Sequence, residues 1–132
     1  MRDALAGLRP RASATAFFST VEAAWRDGAT LDADYWCANL RRPVRFWEAS
    51  SALLAAGYTR FVEAGPHPVL VAPLLQTIRD RNDAALAVGT TRRGEPELRA
   101  ALTSLASLYA HGADPDWARV GPAARCVSLP SF

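Results

Sequence analysis

The chain has 132 residues, of which 50% are hydrophobic, and its 15 basic residues, all of them arginine, face 13 acidic ones. This composition predicts one globular domain, and a net charge of +2 is too small for a nucleic-acid-binding surface. No apolar run approaches the roughly 18 residues that span a bilayer, and Met-Arg-Asp is not the start of a signal peptide, so we expect a cytoplasmic protein. Two cysteines without a CxxC pair and two histidines without ligand spacing favour free thiols and no metal site.

The first elements are predicted to be a helix end and a strand. Residues 2–8 form the tail of a helix, and residues 16–21 are a short apolar run that predicts a buried strand. We interpret the segment around Trp25 as the loop after this strand. Asp32 can then cap a helix that ends near Leu40, because the residue before Pro43 is disfavoured in the helical region. Carbonyl groups in the last turn of such a helix are free to accept hydrogen bonds.

A second helix is predicted from residue 44, because apolar residues recur every three or four positions and a glycine follows the last of them. These residues are Phe46, Ala49, Leu53, Ala56 and Gly57. A strand over residues 59–64 comes next, and then a turn whose last residue, Pro68, is predicted to lie in the first turn of a third helix. The apolar residues of that helix are Leu70, Leu74 and Ile78.

Residues 84–88 predict a third strand that ends at Gly89. Acidic residues begin a last helix, whose apolar stripe continues up to Gly112. The stripe is formed by Leu98, Leu102, Leu105 and Tyr109. Strands that alternate with helices predict an α/β fold with parallel pairing. About three strands are fewer than the five or six of an average sheet, so we expect part of a larger fold.

Two motifs are long and specific: YWCANLRRPVRF at residues 35–46 and FVEAGPHPVL at residues 61–70. With Thr-Thr-Arg-Arg-Gly at residues 90–94 and Val-Ser-Leu-Pro-Ser-Phe at residues 127–132, they resemble the C-terminal third of the acyltransferase domain of modular type I polyketide synthases, relatives of malonyl-CoA:acyl carrier protein transacylases. The resemblance implies the C-terminal portion of a large α/β-hydrolase-like subdomain, with short parallel strands alternating with helices and incomplete as a domain. It assigns residues 1–112 to the acyltransferase and residues 113–132 to the linker that follows it.

The family transfers malonyl or methylmalonyl units from coenzyme A to a serine, and then to the phosphopantetheine thiol of an acyl carrier protein. The resemblance therefore implies a coenzyme A thioester as substrate and no bound cofactor. The implied partners are the upstream remainder of the domain, the acyl carrier protein, acyl-CoA and the neighbouring ketosynthase-linker region. Neither nucleic acid nor a membrane is among them.

In the family, the nucleophilic serine, the carboxylate-binding arginine and the catalytic histidine all lie upstream of these motifs. The chain starts at Met1, and none of its serines lies in a Gly-x-Ser-x-Gly elbow, so we expect it to be inactive alone. A non-catalytic structural or interaction remnant of such a synthase is the alternative. An unrelated α/β binding module is a third hypothesis.

Asn39 is the main candidate for a supporting role. The resemblance implies that its main-chain carbonyl accepts a hydrogen bond from the upstream catalytic histidine, the orienting task of a third triad member. A plain helix-ending residue is the competing interpretation. The turn Gly65-Pro66-His67-Pro68 is a structural signature of the family. Two prolines make its backbone rigid and no nucleophile is evident nearby, which argues against catalysis by His67.

Other polar residues have simpler interpretations. His111 suits a helix C-terminus, and Cys37 beside two aromatic residues is expected to be packed. Arg41, Arg42 and Arg45 are the densest basic segment. They form either a solvated helix end or a contact for an anionic partner such as coenzyme A or a carrier protein.

Overall fold

A computed structural model of the chain describes residues 2–81 and 84–121. Within these ranges the elements follow in the order β1 (Phe17–Ser19), β2 (Ala24–Arg26), α1 (Ala33–Arg41), α2 (Phe46–Ala55), β3 (Arg60–Glu63), α3 (Val71–Asp80), β4 (Leu86–Gly89) and α4 (Glu97–Ala110). Single 3₁₀ turns occur at Asp3–Leu5, Gly28–Thr30 and Trp117–Arg119. None of the described helices combines the length and the apolar character that crossing a bilayer requires.

The β3–α3–β4 unit confirms the predicted α/β organisation. The two strands pair in parallel, with Arg60 opposite Leu86 and Glu63 opposite Gly89. Helix α3 packs against α2 and β4, and α4 also packs against β4. The buried cluster between these elements is apolar, as the helix periodicity predicts. It consists of Leu54, Leu74, Ile78 and Ala87.

The first strand pairs differently from the prediction. β1 pairs antiparallel with β2, and Trp25, interpreted from the sequence as part of a loop, lies in β2 opposite Phe18. The physical reason is the connection, whose four residues are far too few for a parallel crossover. Ala23 closes the turn in the left-handed region at φ 51°. The Phe18 and Trp25 rings meet edge to face with centroids 5.0 Å apart.

The predicted helix boundaries are largely confirmed. The Asp32 carboxylate accepts the Tyr35 N–H at 2.9 Å at the start of α1. At its end, Arg42 is extended (ψ 155°), as expected for the residue before a proline. Gly57 follows the end of α2 with φ 87°, the left-handed geometry that favours glycine there.

Three details differ from the sequence prediction. Pro68 precedes α3 by three residues, and therefore lies outside its first turn. Leu54 is the buried leucine of α2, whereas Ala56 is exposed. The helix predicted over residues 2–8 is a single 3₁₀ turn.

Helix α4 is confirmed, although its predicted apolar stripe is largely exposed at Leu98, Leu102 and Tyr109. Trp117 packs edge to face against Tyr109, with the ring centroids 5.2 Å apart, so the segment after α4 contacts that helix. Residues 122–132, with Cys126 and the motif at residues 127–132, lie outside the described residues. The division at residue 112 stays a prediction.

Candidate functional site

Helix α1 is fixed to the β1–β2 hairpin by one buried hydrogen bond. The Tyr35 hydroxyl donates to Ser19 Oγ at 2.9 Å, and Ser19 is fully buried. The same oxygen also accepts the Val21 N–H at 3.3 Å. These contacts give Ser19 a structural role, and they explain why a tyrosine begins the motif at residues 35–46.

Arg45 fixes the chain after α1. Its N–H donates to the Thr20 carbonyl at 2.8 Å, and its Nη1 donates to the Glu22 carbonyl at 3.0 Å. Its Nε lies 3.3 Å from the Glu48 carboxylate. The pKa of Glu48 is lowered, chiefly by its own backbone N–H and then by the Arg45 guanidinium. Arg45 therefore anchors the α1–α2 connection to the hairpin loop.

Arg41 and Arg42, the other two members of the basic segment, are exposed. Neither forms an ion pair with another residue in the part of the chain that the structure describes. Arg41 belongs to the last turn of α1, where a cation stabilises the negative end of the helix dipole.

Asn39 lies in the last turn of α1 and is half-buried. The Arg42 N–H donates to the Ala38 carbonyl at 2.9 Å, so this N–H is not available to the Asn39 carbonyl. The residue four positions after Asn39 is Pro43, which has no N–H to donate. The helix therefore offers the Asn39 carbonyl no partner of its own.

An apolar surface adjoins Asn39 along the chain. Leu40, Val44 and Trp47 have exposed fractions of 71%, 65% and 62%, and we call these three residues the junction patch. They belong to or directly follow the motif at residues 35–46. Three large apolar side chains within 8 residues of chain are thus mostly exposed to solvent.

The second motif forms the end of β3 and the start of α3. Both oxygens of the Glu63 carboxylate accept backbone N–H groups, from Val69 at 2.9 Å, Leu70 at 2.8 Å and Val71 at 3.0 Å. The residue at the N-cap of α3, Leu70, has no side-chain acceptor. Glu63 therefore caps α3 from the preceding strand, and a carboxylate there also stabilises the helix dipole.

The turn between Glu63 and α3 is held by the end of β4. The Thr90 hydroxyl lies 3.1 Å from the Gly65 N–H, which donates to it, and Thr91 donates to the Gly65 carbonyl at 2.5 Å. Pro68 covers Gly89 so closely that a Cβ on the glycine would lie 2.6 Å from the Pro68 Cβ. Residues 65–68 thus form a rigid turn whose position depends on β4.

Both histidines bond to the backbone. His67 is exposed, and its Nδ1 accepts the Arg93 N–H at 3.4 Å, a long bond that joins the turn to the β4–α4 loop. His111 Nδ1 lies 2.8 Å from the Ser107 carbonyl at the end of α4. Neither ring bonds to a serine or cysteine side chain within residues 2–81 and 84–121. The described part also contains no group of three potential metal ligands.

Ser50 and Cys37 lie within helices α2 and α1. The Ser50 hydroxyl donates to the Phe46 carbonyl at 2.8 Å inside α2, a local bond that serine commonly forms in helices. Cys37 is half-buried in α1 with a free thiol.

A cavity of about 600 Å³ opens beyond the carboxyl end of β4. This edge of a parallel sheet is where α/β proteins bind ligands. Two hydroxyl groups in the cavity lining form hydrogen bonds within the protein. Thr91 donates to the Gly65 carbonyl, and Ser104 donates to the Gly89 carbonyl at 2.6 Å. Arg92 faces Glu95 at 3.5 Å. These four side chains of the cavity lining therefore already have partners within the protein.

The interpretation of the sequence missed Glu63 and the two threonines. An acid at a strand end eight residues before a helix is a usable signal for a cap. Thr90 and Thr91 act across 25 residues of chain, and nothing local in the sequence indicates that contact.

Comparison with known proteins identifies the chain. The family model described as "Acyl transferase domain" matches residues 1–115. Polyketide synthase GfsB of Streptomyces halstedii is 47% identical over 129 residues, which cover 97% of this chain and 2% of that protein. Erythronolide synthase EryA2 of Saccharopolyspora erythraea is 38% identical over 127 residues, covering 95% of this chain and 4% of that protein.

Solved structures agree with the sequence relatives. The acyltransferase domain from module 8 of the salinomycin polyketide synthase is 43% identical, with a TM-score of 0.84 over 88% of this chain and 27% of that chain. The chain therefore spans about a quarter of a solved acyltransferase domain, which confirms the predicted incomplete α/β portion. It belongs to the acyl transferase domain family, in the form found in modular polyketide synthases.

Proposed function

We propose that this chain forms the supporting part of an acyltransferase active site that transfers a malonyl or methylmalonyl unit from coenzyme A to an acyl carrier protein. The remaining part of the domain supplies the nucleophilic serine, the catalytic histidine and the carboxylate-binding arginine. The Asn39 carbonyl, which accepts no hydrogen bond within residues 2–81 and 84–121, is the single observation that carries this assignment. The chain alone is inactive in this account.

The chemistry follows from what an open carbonyl does for an imidazole. If the Asn39 oxygen accepts the Nδ1–H of the histidine, the ring is held in one orientation and its Nε2 is left to take the serine proton. The serine oxygen then attacks the thioester carbonyl, the carbon–sulfur bond breaks, and the coenzyme A sulfur receives the proton. Transfer to the carrier protein thiol repeats these steps in reverse, with the acyl group moving from serine to sulfur.

The surroundings of Asn39 support this assignment. The negative end of the α1 dipole lies at the same helix terminus and favours the imidazolium that forms during the reaction. Buried Tyr35 and anchored Arg45 fix α1 and the segment after it, and a catalytic orienting group needs such a rigid frame. The junction patch gives the rest of the domain an apolar surface to cover.

The second motif supports the site indirectly. Glu63 bonds to the backbone at the start of α3, Pro68 packs on Gly89, and Gly65 bonds to the threonine hydroxyls that follow β4, so these residues hold the carboxyl edge of the sheet in shape. His67 joins two loops of this framework. We therefore assign His67 a structural role and assign the catalytic histidine to the remaining part of the domain.

A chimera tests the proposal. This chain replaces the matching quarter of the salinomycin module 8 acyltransferase domain, and single-turnover acylation by malonyl-CoA and methylmalonyl-CoA is measured. Asn39→Ala keeps the backbone carbonyl and should slow acylation about tenfold, equivalent to about 1.4 kcal/mol. Asn39→Pro should slow it far more, because proline removes an N–H and distorts the last turn of α1.

His67→Ala is the matched control in the same chimera. We expect it to change the acylation rate less than Asn39→Pro or the loss of the other part's histidine. If His67→Ala abolishes acylation in a chimera that keeps its circular dichroism spectrum, the histidine assignment is wrong. A chimera that folds and never acylates supports instead a non-catalytic structural or interaction remnant of a synthase.

A further inference from the structure

The C-termini of α1, α2 and α4 differ in whether one equivalent backbone carbonyl accepts a hydrogen bond. The carbonyl concerned belongs to the third residue before the C-cap, and a common closing motif satisfies it with the second N–H after the cap. In α2, the Tyr58 N–H bonds to the Leu53 carbonyl at 3.1 Å. In α4, the Ala113 N–H bonds to the Leu108 carbonyl at 3.0 Å. Both helices therefore close their last turn.

A glycine in the left-handed region makes this closure possible. Gly57 after α2 has φ 87° and Gly112 after α4 has φ 80°. In each case the glycine turns the chain back, so that the next N–H points at the helix end. Its own N–H also bonds, to Leu54 at 3.0 Å in α2 and to Tyr109 at 2.9 Å in α4.

Helix α1 has a proline where the other two have glycine. Its C-cap is Arg42, the next residue is Pro43, and the third residue before the cap is Asn39. Proline has no N–H, and its ring holds φ near −65°, so it cannot adopt the left-handed geometry. It also keeps Arg42 extended. Pro43 thus blocks both ways in which a helix end could close on the Asn39 carbonyl.

The chain beyond Pro43 is held away from the helix end as well. The Arg45 N–H donates to the Thr20 carbonyl at 2.8 Å. The Arg45 guanidinium adds a second bond to the hairpin loop, at the Glu22 carbonyl. The open end of α1 is therefore built by two neighbouring features, a proline and an anchored arginine.

We propose that Pro43 is a positioning residue, whose function is to keep the Asn39 carbonyl open for an imidazole N–H donor. This inference rests on the proposed function for the identity of the donor. In the part of the chain that the structure describes, the Asn39 carbonyl accepts no hydrogen bond, and this can be measured without activity. Pro43 acts only through Asn39 and does not contact the reacting atoms.

The first test uses the full 132-residue chain labelled with ¹⁵N and ¹³C. Nuclear magnetic resonance detects a scalar coupling through a hydrogen bond between a donor nitrogen and an acceptor carbonyl carbon. We expect no coupling to the Asn39 carbonyl in the native chain. In Pro43→Gly it should appear from the residue 44 nitrogen, and in Pro43→Ala from the residue 43 nitrogen. The Tyr58-to-Leu53 coupling in α2 is the internal positive control.

The second test follows acylation in the chimera with the salinomycin module 8 domain. Pro43→Gly should slow acylation about tenfold, the loss expected when an imidazole is no longer oriented. The acidic limb of the pH–rate profile of this variant should move to lower pH. The reason is that the catalytic imidazolium loses a hydrogen-bond acceptor, so the pKa of the histidine falls. A merely structural role for Pro43 would not move that limb. Pro96→Gly, the same change at the exposed start of α4, should leave both the rate and the limb unchanged.

Three results would overturn the proposal. One is a coupling to the Asn39 carbonyl in the native chain, which means that Pro43 does not keep it open. Another is the absence of coupling in both variants, and the third is native acylation when the coupling is present. If the proposed function is wrong, the chimera with native Pro43 will not acylate. The couplings in the 132-residue chain still decide the role of Pro43 in that case.

Discussion

Pro68 packs directly on Gly89, and a Cβ at position 89 would come within 2.6 Å of the proline Cβ. The contact joins the turn after β3 to the end of β4, the two strands that pair in parallel within the described residues. It explains why a glycine ends β4 and why a ring precedes α3. Both residues lie at the carboxyl edge of the sheet, so an error there displaces the loops that shape it.

Gly89→Ala should therefore destabilise the chain by about 1–3 kcal/mol, the usual cost of forcing extra atoms into a packed site. Neither side of the contact can yield easily, because Pro68 is a ring and Gly89 is paired with Glu63 in the sheet. Urea unfolding of the two proteins measures the difference. Gly7→Ala is the matched control, since no atom lies within 4 Å of a Cβ built there, and an unchanged midpoint for Gly89→Ala would contradict the contact.

Glu63→Gln should lower the free energy of unfolding by about 1–3 kcal/mol, because three N–H donors lose a charged acceptor. An amide offers one acceptor oxygen and turns its NH₂ toward these donors. The measurement is again urea unfolding, with Glu95→Gln as control. Glu95 is exposed and its contact to Arg92 is 3.5 Å, so its loss should cost less than about 0.5 kcal/mol. Equal midpoints for the two variants would argue against the cap.

The Tyr35–Ser19 hydrogen bond can be measured by a double-mutant cycle. Tyr35→Phe leaves the buried Ser19 hydroxyl without its donor, and Ser19→Ala leaves the tyrosine hydroxyl without its acceptor. We expect a coupling free energy of about 0.5–1.5 kcal/mol between the two changes in chemical denaturation. Additive effects would mean that the two hydroxyls do not bond in solution.

Ala23 carries a strained backbone that a glycine would relieve. At φ 51° an alanine pays a steric cost that glycine does not, so Ala23→Gly should stabilise the chain by about 0.5–1 kcal/mol. Ala52→Gly, in the exposed face of α2, should do the opposite and destabilise by about 0.5–1 kcal/mol. Thermal unfolding of both variants gives the two signs, and destabilisation by Ala23→Gly would contradict the turn geometry.

The fold was predictable from the sequence where the signal is local. Asp32 before α1, Pro43 after it and Gly57 after α2 each act within one helical turn, and each is confirmed. The antiparallel pairing of β1 was missed because Ala23 occupies a left-handed position with a residue that does not favour it. The start of α3 was misplaced because the cap comes from Glu63, several residues upstream, and not from a residue beside Pro68.

The candidate site also contains residues that the sequence indicates locally and residues that it does not. Asn39 could be selected because its motif resembles a family and because Pro43 follows four residues later, and both facts are visible in the sequence. The hydrogen bonds from Thr90 and Thr91 to Gly65 could not be predicted from the sequence. The two threonines reach Gly65 only because β3 and β4 pair in parallel. Contacts that depend on tertiary pairing carry no local signature.

The position of the acyl group tests the account most directly. The chimera with the salinomycin module 8 domain is incubated with malonyl-CoA or methylmalonyl-CoA, digested and mapped by mass spectrometry, beside the 132-residue chain treated alone. We predict an acyl-serine in the part of the chimera that this chain does not supply, and no adduct on the chain alone. A stoichiometric adduct on a serine or cysteine of the chain alone, lost when that residue is changed, would contradict the account.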